Sequence, residues 1–357
     1  MQPDKNSRKP NHLSVRRWLA MGAIAAAVLG TLVGWGGSRA PVSASSVTIG
    51  FENNGADPEM VAIDKNYFSK YMHANVSLKY FDSGPAALAA LASGALQFMT
   101  GIGNPPTAAA IARGLPVQVI WAQERYTTNE GLVVKDNSGI KSLKDLAGKT
   151  VALVLGSTSP FELDTALRKV GMSSSSVHLL NMSPPAMREA WARGSIYAAY
   201  VWDPVFDTIR HEHGRVLMVD DDVKSEAPIY NLAIVNSSWA KSHADMVKGF
   251  IQAEDVAVKY YRDKKHRADA LKSMAKEAGI SVSLAKVEMA GYEIFDARQQ
   301  LGHDALGYGK TVSSSLVTKS LSSAAAYLER IGTISSAPKS MVPYVNPTYA
   351  KEIAGTK

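Results

Sequence analysis

The sequence of 357 residues contains no cysteine, which excludes a disulfide framework and a thiol nucleophile. A lipid anchor of the usual bacterial form needs a cysteine after the export signal, so we expect none. The G-x-S-x-G, P-loop and H-E-x-x-H motifs are also missing. His211 and His213 lie two apart, which points them to different faces of a helix. From these absences we expect that the protein is not an enzyme and has neither a metal site nor a cofactor.

A basic patch is also missing once the N-terminus is set aside. The formal net charge is +7, but residues 1–44 hold six basic residues and one acidic residue. The rest of the chain, with 33 basic and 31 acidic residues, is nearly neutral. There is no basic stripe with interleaved aromatics, so we expect no nucleic-acid partner.

The N-terminus has the order of an export signal. A basic stretch over residues 1–17 precedes the uncharged residues 18–37, and Val42-Ser43-Ala44 supplies small residues at a cleavage site. This order predicts a signal peptide over residues 1–44 and a periplasmic protein. Residues 18–37 are also long enough for a short membrane span, so an uncleaved membrane anchor stays open. Arg16-Arg17 leaves twin-arginine and Sec export both open.

Strand and helix patterns alternate from Val47 to His213, which predicts an α/β fold with parallel sheets flanked by helices. From Ala244 to Ile331 the pattern is mostly helical. A chain that begins one lobe, builds a second and returns to finish the first would read this way. We expect lobe one over 45–129 plus 230–335, lobe two over 130–229, and an irregular tail over 336–357.

Polar residues precede proline at several predicted strand-to-helix junctions, where open α/β sheets bind ligands. "LGSTSPFE" is one of them. Ser159 and Glu162 have capping-box spacing, which leaves the hydroxyls of Ser157 and Thr158 to donate to an anion at the helix start. Asn104 and Ser83, at similar junctions, would face this site from lobe one. The alternative is that each junction is only a well-capped helix.

An anion-binding site at Ser157 and Thr158 with a carboxylate beside it would suit a ligand that also carries an ammonium group. Glu130 lies at a predicted lobe crossing, and Asp203 opens a helix. Trp202 and Tyr230 could wall the ligand or lie over its ammonium, because aromatic faces attract cations. The alternatives are a solvated loop charge for Glu130 and a simple N-cap for Asp203.

Several motifs resemble the substrate-binding subunits of ABC importers for taurine and other alkyl sulfonates. The most specific is "PPAMREAWARGSIYAAYVWDP", and "FDSG", "GNPP" and "SLKDLAGKTVAL" add to it. The resemblance implies a type II, two-lobed periplasmic binding protein with a mixed sheet in each lobe and the ligand in the interlobe cleft. It also implies a monomer that delivers its ligand to a permease with its ATPase, without catalysis.

By matching motif positions, the resemblance implies that Asn104, Thr158 and Ser159 hold the sulfonate. Trp202 would line the cleft and Glu130 would lie near the amine. Two departures stand out: Asp203 replaces a small residue, and Asn231 replaces an aspartate. Either the carboxylate for the ammonium has moved to Asp203, or the ligand is not taurine.

Other functions stay open on the sequence. The ligand could be another alkane sulfonate or a small anion such as nitrate. A membrane-anchored sensor domain is compatible with an uncleaved N-terminus. An enzyme of the thiamine-pyrimidine type would need a reactive histidine and a cofactor lysine in the cleft, and the strand-end junctions supply neither.

Overall fold

The computed structural model describes residues 46–355 of the chain. These residues form eleven strands and thirteen α-helices. The predicted signal segment, residues 1–44, lies outside these residues. The strands are β1 Ser46–Glu52, β2 Asn75–Phe81, β3 Phe98–Gly103, β4 Val117–Tyr126, β5 Glu130–Lys135, β6 Thr150–Leu153, β7 His178–Asn181, β8 Ala198–Trp202, β9 Gly214–Val219, β10 Tyr230–Asn236 and β11 Tyr292–Ile294.

The helices differ widely in length, from one turn to about five. They are α1 Pro58–Asp64, α2 Tyr67–Met72, α3 Gly84–Ala92, α4 Asn104–Ala112, α5 Thr158–Lys169, α6 Pro184–Ala192, α7 Val205–His211, α8 Ser237–Ala240, α9 Ala244–Arg262, α10 Arg267–Ala278, α11 Val282–Glu288, α12 Leu316–Arg330 and α13 Thr348–Gly355. Within residues 46–355, no helix combines the length and the apolar character that crossing a membrane requires.

The strands form two mixed sheets, so the parallel sheets predicted from the strand-and-helix pattern are wrong in part. Strands β5 and β10, with which the chain changes from one sheet to the other, run antiparallel to their neighbours. The first has the order β11-β4-β10-β3-β1-β2, with β1 parallel to β2 and β3 and with β10 antiparallel to β3 and β4. The second has the order β7-β6-β8-β5-β9, with β6 parallel to β7 and β8 and with β5 antiparallel to β8 and β9. The chain therefore leaves the first sheet after β4, completes the second sheet from β5 to β9, and returns with β10.

Helix α12 links the helices of the two sheets. It packs on α4, beside the first sheet, and its Tyr327 ring lies 5.2 Å from the ring of Phe161 in α5, beside the second sheet. Arg330, the last residue of α12, forms an ion pair with Asp164 of α5. These contacts hold the two sheets close on the side of the molecule where α12 lies.

Two segments differ from the sequence-based expectation. The pattern predicts one helix over 58–71, but Asn66 has φ 58°, a left-handed conformation that divides it into α1 and α2. The tail is expected to be irregular, yet α13 forms there and Val345 makes a parallel bridge with Val119 of β4. Packing against α9 and β4 orders this tail despite its prolines.

Gly249 provides a test of the helix packing around the first sheet. A Cβ at this position would lie 2.7 Å from the Cα of Met72 and would also contact the carbonyl oxygen of Tyr71. Gly-to-Ala in a helix interior ordinarily stabilises by about 0.5–1 kcal/mol. Overpacking against backbone costs about 1–3 kcal/mol and should win here. We expect Gly249→Ala to lower the free energy of unfolding by about 1–2 kcal/mol in urea titrations.

Gln252→Ala, an exposed position on the same helix, serves as the control and should stay within about 0.5 kcal/mol of the unmodified protein. An unchanged or raised stability for Gly249→Ala would show that α2 and α9 are not packed this closely.

Candidate functional site

A small cavity lies between the two sheets and is lined by residues from both. Its volume is about 10 Å³, which is room for about one water molecule. Any larger ligand therefore requires the lining to move apart. The lining residues are Glu52, Asn54, Gly84, Pro85, Gly101, Gly103, Pro106, Tyr126, Glu130, Ser157, Thr158, Trp202 and Asn231.

Half of the residues singled out in the sequence line this cavity, namely Glu130, Ser157, Thr158, Trp202 and Asn231. They lie at the ends of strands and at the start of helix α5, and these positions are far apart in the sequence. The other half do not line it; these are Ser83, Asn104, Ser159, Asp203 and Tyr230. The ligand-binding role of all ten stays a prediction.

Glu130 is the most constrained acid at the cavity. It is the first residue of β5, pairs with Trp202 across the ladder and is 1% exposed. Ser159 Oγ donates to its Oε1 at 2.6 Å, and Thr158 Oγ1 lies 2.7 Å from its Oε2. Burial raises the pKa of Glu130 to about 7, and the hydroxyl hydrogen bonds oppose that rise. The two hydroxyls assigned to a sulfonate are thus engaged by a carboxylate in this structure.

Ser157 is the N-cap of α5, and the capping box predicted for Ser159 and Glu162 is wrong. The backbone N–H of Ser159 donates to Ser157 Oγ at 3.3 Å. The helix begins at Thr158, so Ser159 already lies in its first turn and cannot cap it. Glu162 instead accepts from the hydroxyl of Tyr200 at 3.1 Å. The start of α5 still faces the cavity through Ser157 and Thr158, as the strand-end argument predicts.

Asn104 and Tyr230 are occupied by structural contacts. Asn104 is the first residue of α4, and its side-chain amide donates to the carbonyl oxygens of Pro228 and Ser320, both at 3.4 Å. Its Oδ1 accepts from the N–H of Tyr230, whose hydroxyl donates to the carbonyl of Asp304 at 2.7 Å. These bonds tie α4 to the returning chain and to α12.

Asp203 lies against a different cavity from Glu130. That cavity, of about 380 Å³, is also lined by Tyr80 and Arg188. Oδ1 of Asp203 accepts from the backbone N–H of Asp207 at 2.8 Å, in the first turn of α7. Burial, followed by repulsion from Glu288, holds the pKa of Asp203 well above its usual range. Trp202 lines both cavities and so forms the wall between them.

Asn231 lines the cavity and belongs to a hydrogen-bonded group of side chains on β4 and β10. Its amide nitrogen donates to Glu124 Oε1 at 2.7 Å and lies 2.8 Å from the hydroxyl of Tyr126. A register shift follows Asn231 in its pairing with β4. The asparagine therefore supports two neighbouring polar side chains, one of which, Tyr126, lines the cavity.

Sequence reasoning missed Glu52, Asn54 and Tyr126 as lining residues. Glu52 ends β1, and Asn54 follows it and donates to the carbonyl of Gly101 at 3.0 Å. Gly101 has φ +69°, and a Cβ there would lie 2.5 Å from the amide nitrogen of Asn54. The strand-end rule alone would have found Glu52 and Asn54, but no proline or run of hydroxyls marks this junction.

Three buried carboxylates, from Glu130, Glu162 and Asp220, form the one group among residues 46–355 whose geometry could hold a metal ion. One oxygen from each lies within 4.8 Å of the others. Asp220 Oδ2 accepts from the N–H of Glu130 at 2.9 Å, while Asp220 Oδ1 and Glu162 Oε1 have no hydrogen-bond partner. Burial raises the pKa of both Glu162 and Asp220, so protons can balance the charge of this group.

Residues 53–268, more than half of the chain, match the family model described as NMT1/THI5 like. The chain belongs to the NMT1/THI5-like family. The cavity-lining residues Asn54, Tyr126, Glu130 and Trp202 fall within the part that matches the NMT1/THI5-like model.

Two proteins with similar sequences have names that state a ligand. The taurine-binding periplasmic protein of Escherichia coli (strain K12) is 34% identical over 211 residues, which cover 59% of this chain and 64% of that protein. A putative aliphatic sulfonates-binding protein of Bacillus subtilis (strain 168) is 27% identical over 236 residues, 65% of this chain and 70% of that protein. The chain thus spans less than two thirds of the first relative. The resemblance identified in the sequence is confirmed.

A solved structure shares the fold. The alkanesulfonate-binding protein SsuA from Xanthomonas axonopodis pv. citri, bound to MOPS, matches with a TM-score of 0.68 and 20% identity. The match covers 85% of this chain and 98% of that chain. The predicted fold class is confirmed: two mixed sheets flanked by helices, as in the structures of two-lobed periplasmic binding proteins.

Proposed function

We propose that this NMT1/THI5-like protein is a periplasmic solute-binding protein that delivers taurine (2-aminoethanesulfonate) or a related sulfonate to an ABC importer. One observation carries the proposal: Glu130, a buried carboxylate, lines a small cavity at the strand ends of both sheets. The similarity to a taurine-binding protein supports the ligand class. Binding without catalysis is part of the proposal, and the names of the relatives, which describe binding proteins, support it.

Within this proposal, the ligand's ammonium meets Glu130, and its sulfonate lies at the start of α5. Free N–H groups and the positive end of the helix dipole favour an anion at such a helix start. Ser157 and Thr158 bring this end of the 12-residue helix to the cavity. Asp203 is the weaker choice for the ammonium, because it faces the other cavity and already accepts from the Asp207 N–H.

The lobes we propose are residues 45–129 with 230–335 and residues 130–229, followed by the tail 336–357. The membership of the two sheets supports these bounds. Closure of the lobes around the ligand would select molecules that reach both of them. We further propose that the protein acts as a monomer, with a permease and its ATPase as partners, after export by residues 1–44.

Calorimetric titration of the protein from residue 45 onward tests this function. We expect tight binding of taurine, weaker binding of ethanesulfonate, and little binding of sulfate or nitrate. Comparable affinities for taurine and ethanesulfonate would keep the sulfonate class and remove the ammonium assignment. Preference for nitrate, or no binding of any of the four, would contradict the proposed function.

A further inference from the structure

Two carboxylates face the cavity from different sheets. Glu52 is the last residue of β1 in the first sheet, and Glu130 is the first residue of β5 in the second. Their relative exposures are 4% and 1%. The cavity is therefore bounded on two sides by acids that are removed from bulk water.

No base balances these two acids at the cavity wall. In the stretch from Ser46 to Gly355, the cavity lining includes no lysine, arginine or histidine. Burial, followed by repulsion from Glu130, holds the pKa of Glu52 well above its usual range. An occupant with a net negative charge would add a third like charge to this site, which is unfavourable in a medium of low dielectric constant.

We propose that the ligand's cationic group lies between Glu52 and Glu130 and donates hydrogen bonds to both. This inference rests on the proposed function and adds to it a second acid, contributed by the other sheet. A primary ammonium has three N–H donors, enough to reach two carboxylates. Each carboxylate offers about four acceptor positions, so Glu130 can accept an ammonium while it keeps its bonds to Thr158 and Ser159.

The same arrangement couples cation binding to closure. The two acids lie on different sheets, so a cation between them is attracted to both. Without a cation, bringing the two carboxylates together requires either that their repulsion is overcome or that one of them takes up a proton. A ligand shifts a conformational equilibrium only by its differential affinity for the two states. The ammonium supplies that difference because it meets both carboxylates only in the closed form. The ligand class that follows is a small zwitterion with a primary ammonium close to its sulfonate.

Ligand pairs on the unmodified protein provide the first test. Isethionate (2-hydroxyethanesulfonate) matches taurine in length and replaces the ammonium by a neutral hydroxyl. We expect taurine to bind at least tenfold more tightly by calorimetry. We also expect taurine, but not isethionate, to reduce the radius of gyration in solution scattering. Equal affinities for the two would overturn the carboxylate pair while leaving the sulfonate class intact.

The second test is Glu52→Gln, which removes the charge and keeps the shape of the side chain. Taurine affinity should fall about tenfold or more, since hydrogen bonds to charged groups are the strong ones. Isethionate affinity should stay the same or rise. Glu254→Gln is the matched control, because Glu254 is also buried but does not line the cavity. The taurine affinity of this variant should be unchanged.

Two outcomes separate the carboxylate pair from the proposed function. Equal losses for taurine and isethionate in Glu52→Gln, or no loss for either, would overturn the role of Glu52. If the unmodified protein bound neither sulfonate but bound ethylammonium, and Glu52→Gln weakened that binding, the carboxylate pair would be supported and the sulfonate function would fail.

Discussion

Glu130→Gln is expected to lower the affinity for taurine by about a hundredfold at pH 8. Glu130 is ionised at that pH in the unliganded protein, because its pKa is about 7. A hydrogen bond between charged partners contributes about 1.5–3 kcal/mol, and about 1.4 kcal/mol corresponds to a factor of ten. We place Glu130 at the upper end of this range because it is fully buried and no basic residue in the described lining competes for it.

The unliganded variant should be at least as stable as the unmodified protein. Glutamine can still accept from Thr158 or Ser159, and its neutral amide removes one charge from the group that includes Glu162 and Asp220. Calorimetry with taurine and thermal unfolding without it would separate the two effects. An unchanged affinity would contradict the ammonium role, whereas a loss of affinity together with a large fall in Tm would indicate a damaged fold instead.

The sequence predicts the strand ends well because their chemistry is local. The sequence shows an apolar strand, then polar residues, then a helix start. This pattern identifies the junction between β6 and α5, where Ser157 and Thr158 lie. The same rule places Trp202 at the end of β8. Ligands lie beyond the carboxyl ends of the strands in open α/β sheets, so these positions can be predicted without knowledge of tertiary contacts.

The partners of these side chains could not be predicted in the same way. The hydrogen bonds of Asn104 to Pro228 and Ser320 join positions more than a hundred residues apart, so no local sequence pattern predicts them. The bonds from Thr158 and Ser159 to Glu130 likewise cross between strand β5 and helix α5. Burial decides whether such a polar group faces a ligand or a neighbour, and burial depends on the whole fold.

The strands that the sequence did not reveal lie at sheet edges. Strand β9 ends the second sheet and β11 ends the first. Edge strands are paired on one side only, and β9 is largely exposed or half-exposed along its length. Strand β11 has three residues, too few for an alternating pattern to be recognised. Central strands such as β3 and β8 are buried along their whole length, and their apolar runs are correspondingly clear.

The unliganded protein is expected to become less stable as the pH rises from 5.5 to 8. Burial raises the pKa of Asp57, Glu130 and Glu288 to about 7 and that of Glu59 to about 8. For Asp57 and Glu59 the cause is burial first, opposed by hydrogen bonds, with repulsion from Asp57 adding to the rise at Glu59. Between about pH 4.5 and 7 the folded state therefore holds protons that the unfolded chain has released.

The sign of the pH effect follows from this difference. The free energy of unfolding falls with pH wherever the folded state binds more protons. The stabilising contribution of each raised group is complete below its unfolded pKa and is lost as the pH rises through its folded pKa. A group that moves from 4.5 to about 7, such as Glu130, loses about 2 kcal/mol between pH 5.5 and 8. Thermal unfolding should accordingly show a Tm several degrees higher at pH 5.5.

Taurine should reverse part of this pH dependence, and that links stability to the site. An ammonium beside Glu130 favours the ionised carboxylate, so saturating taurine should raise Tm more at pH 8 than at pH 5.5. In Glu130→Gln the Tm difference between the two pH values should shrink by the share of one group, while Glu254→Gln retains the response to taurine. A Tm that stayed flat or rose from pH 5.5 to 8 would mean that water or a cation already stabilises these carboxylates in their ionised form.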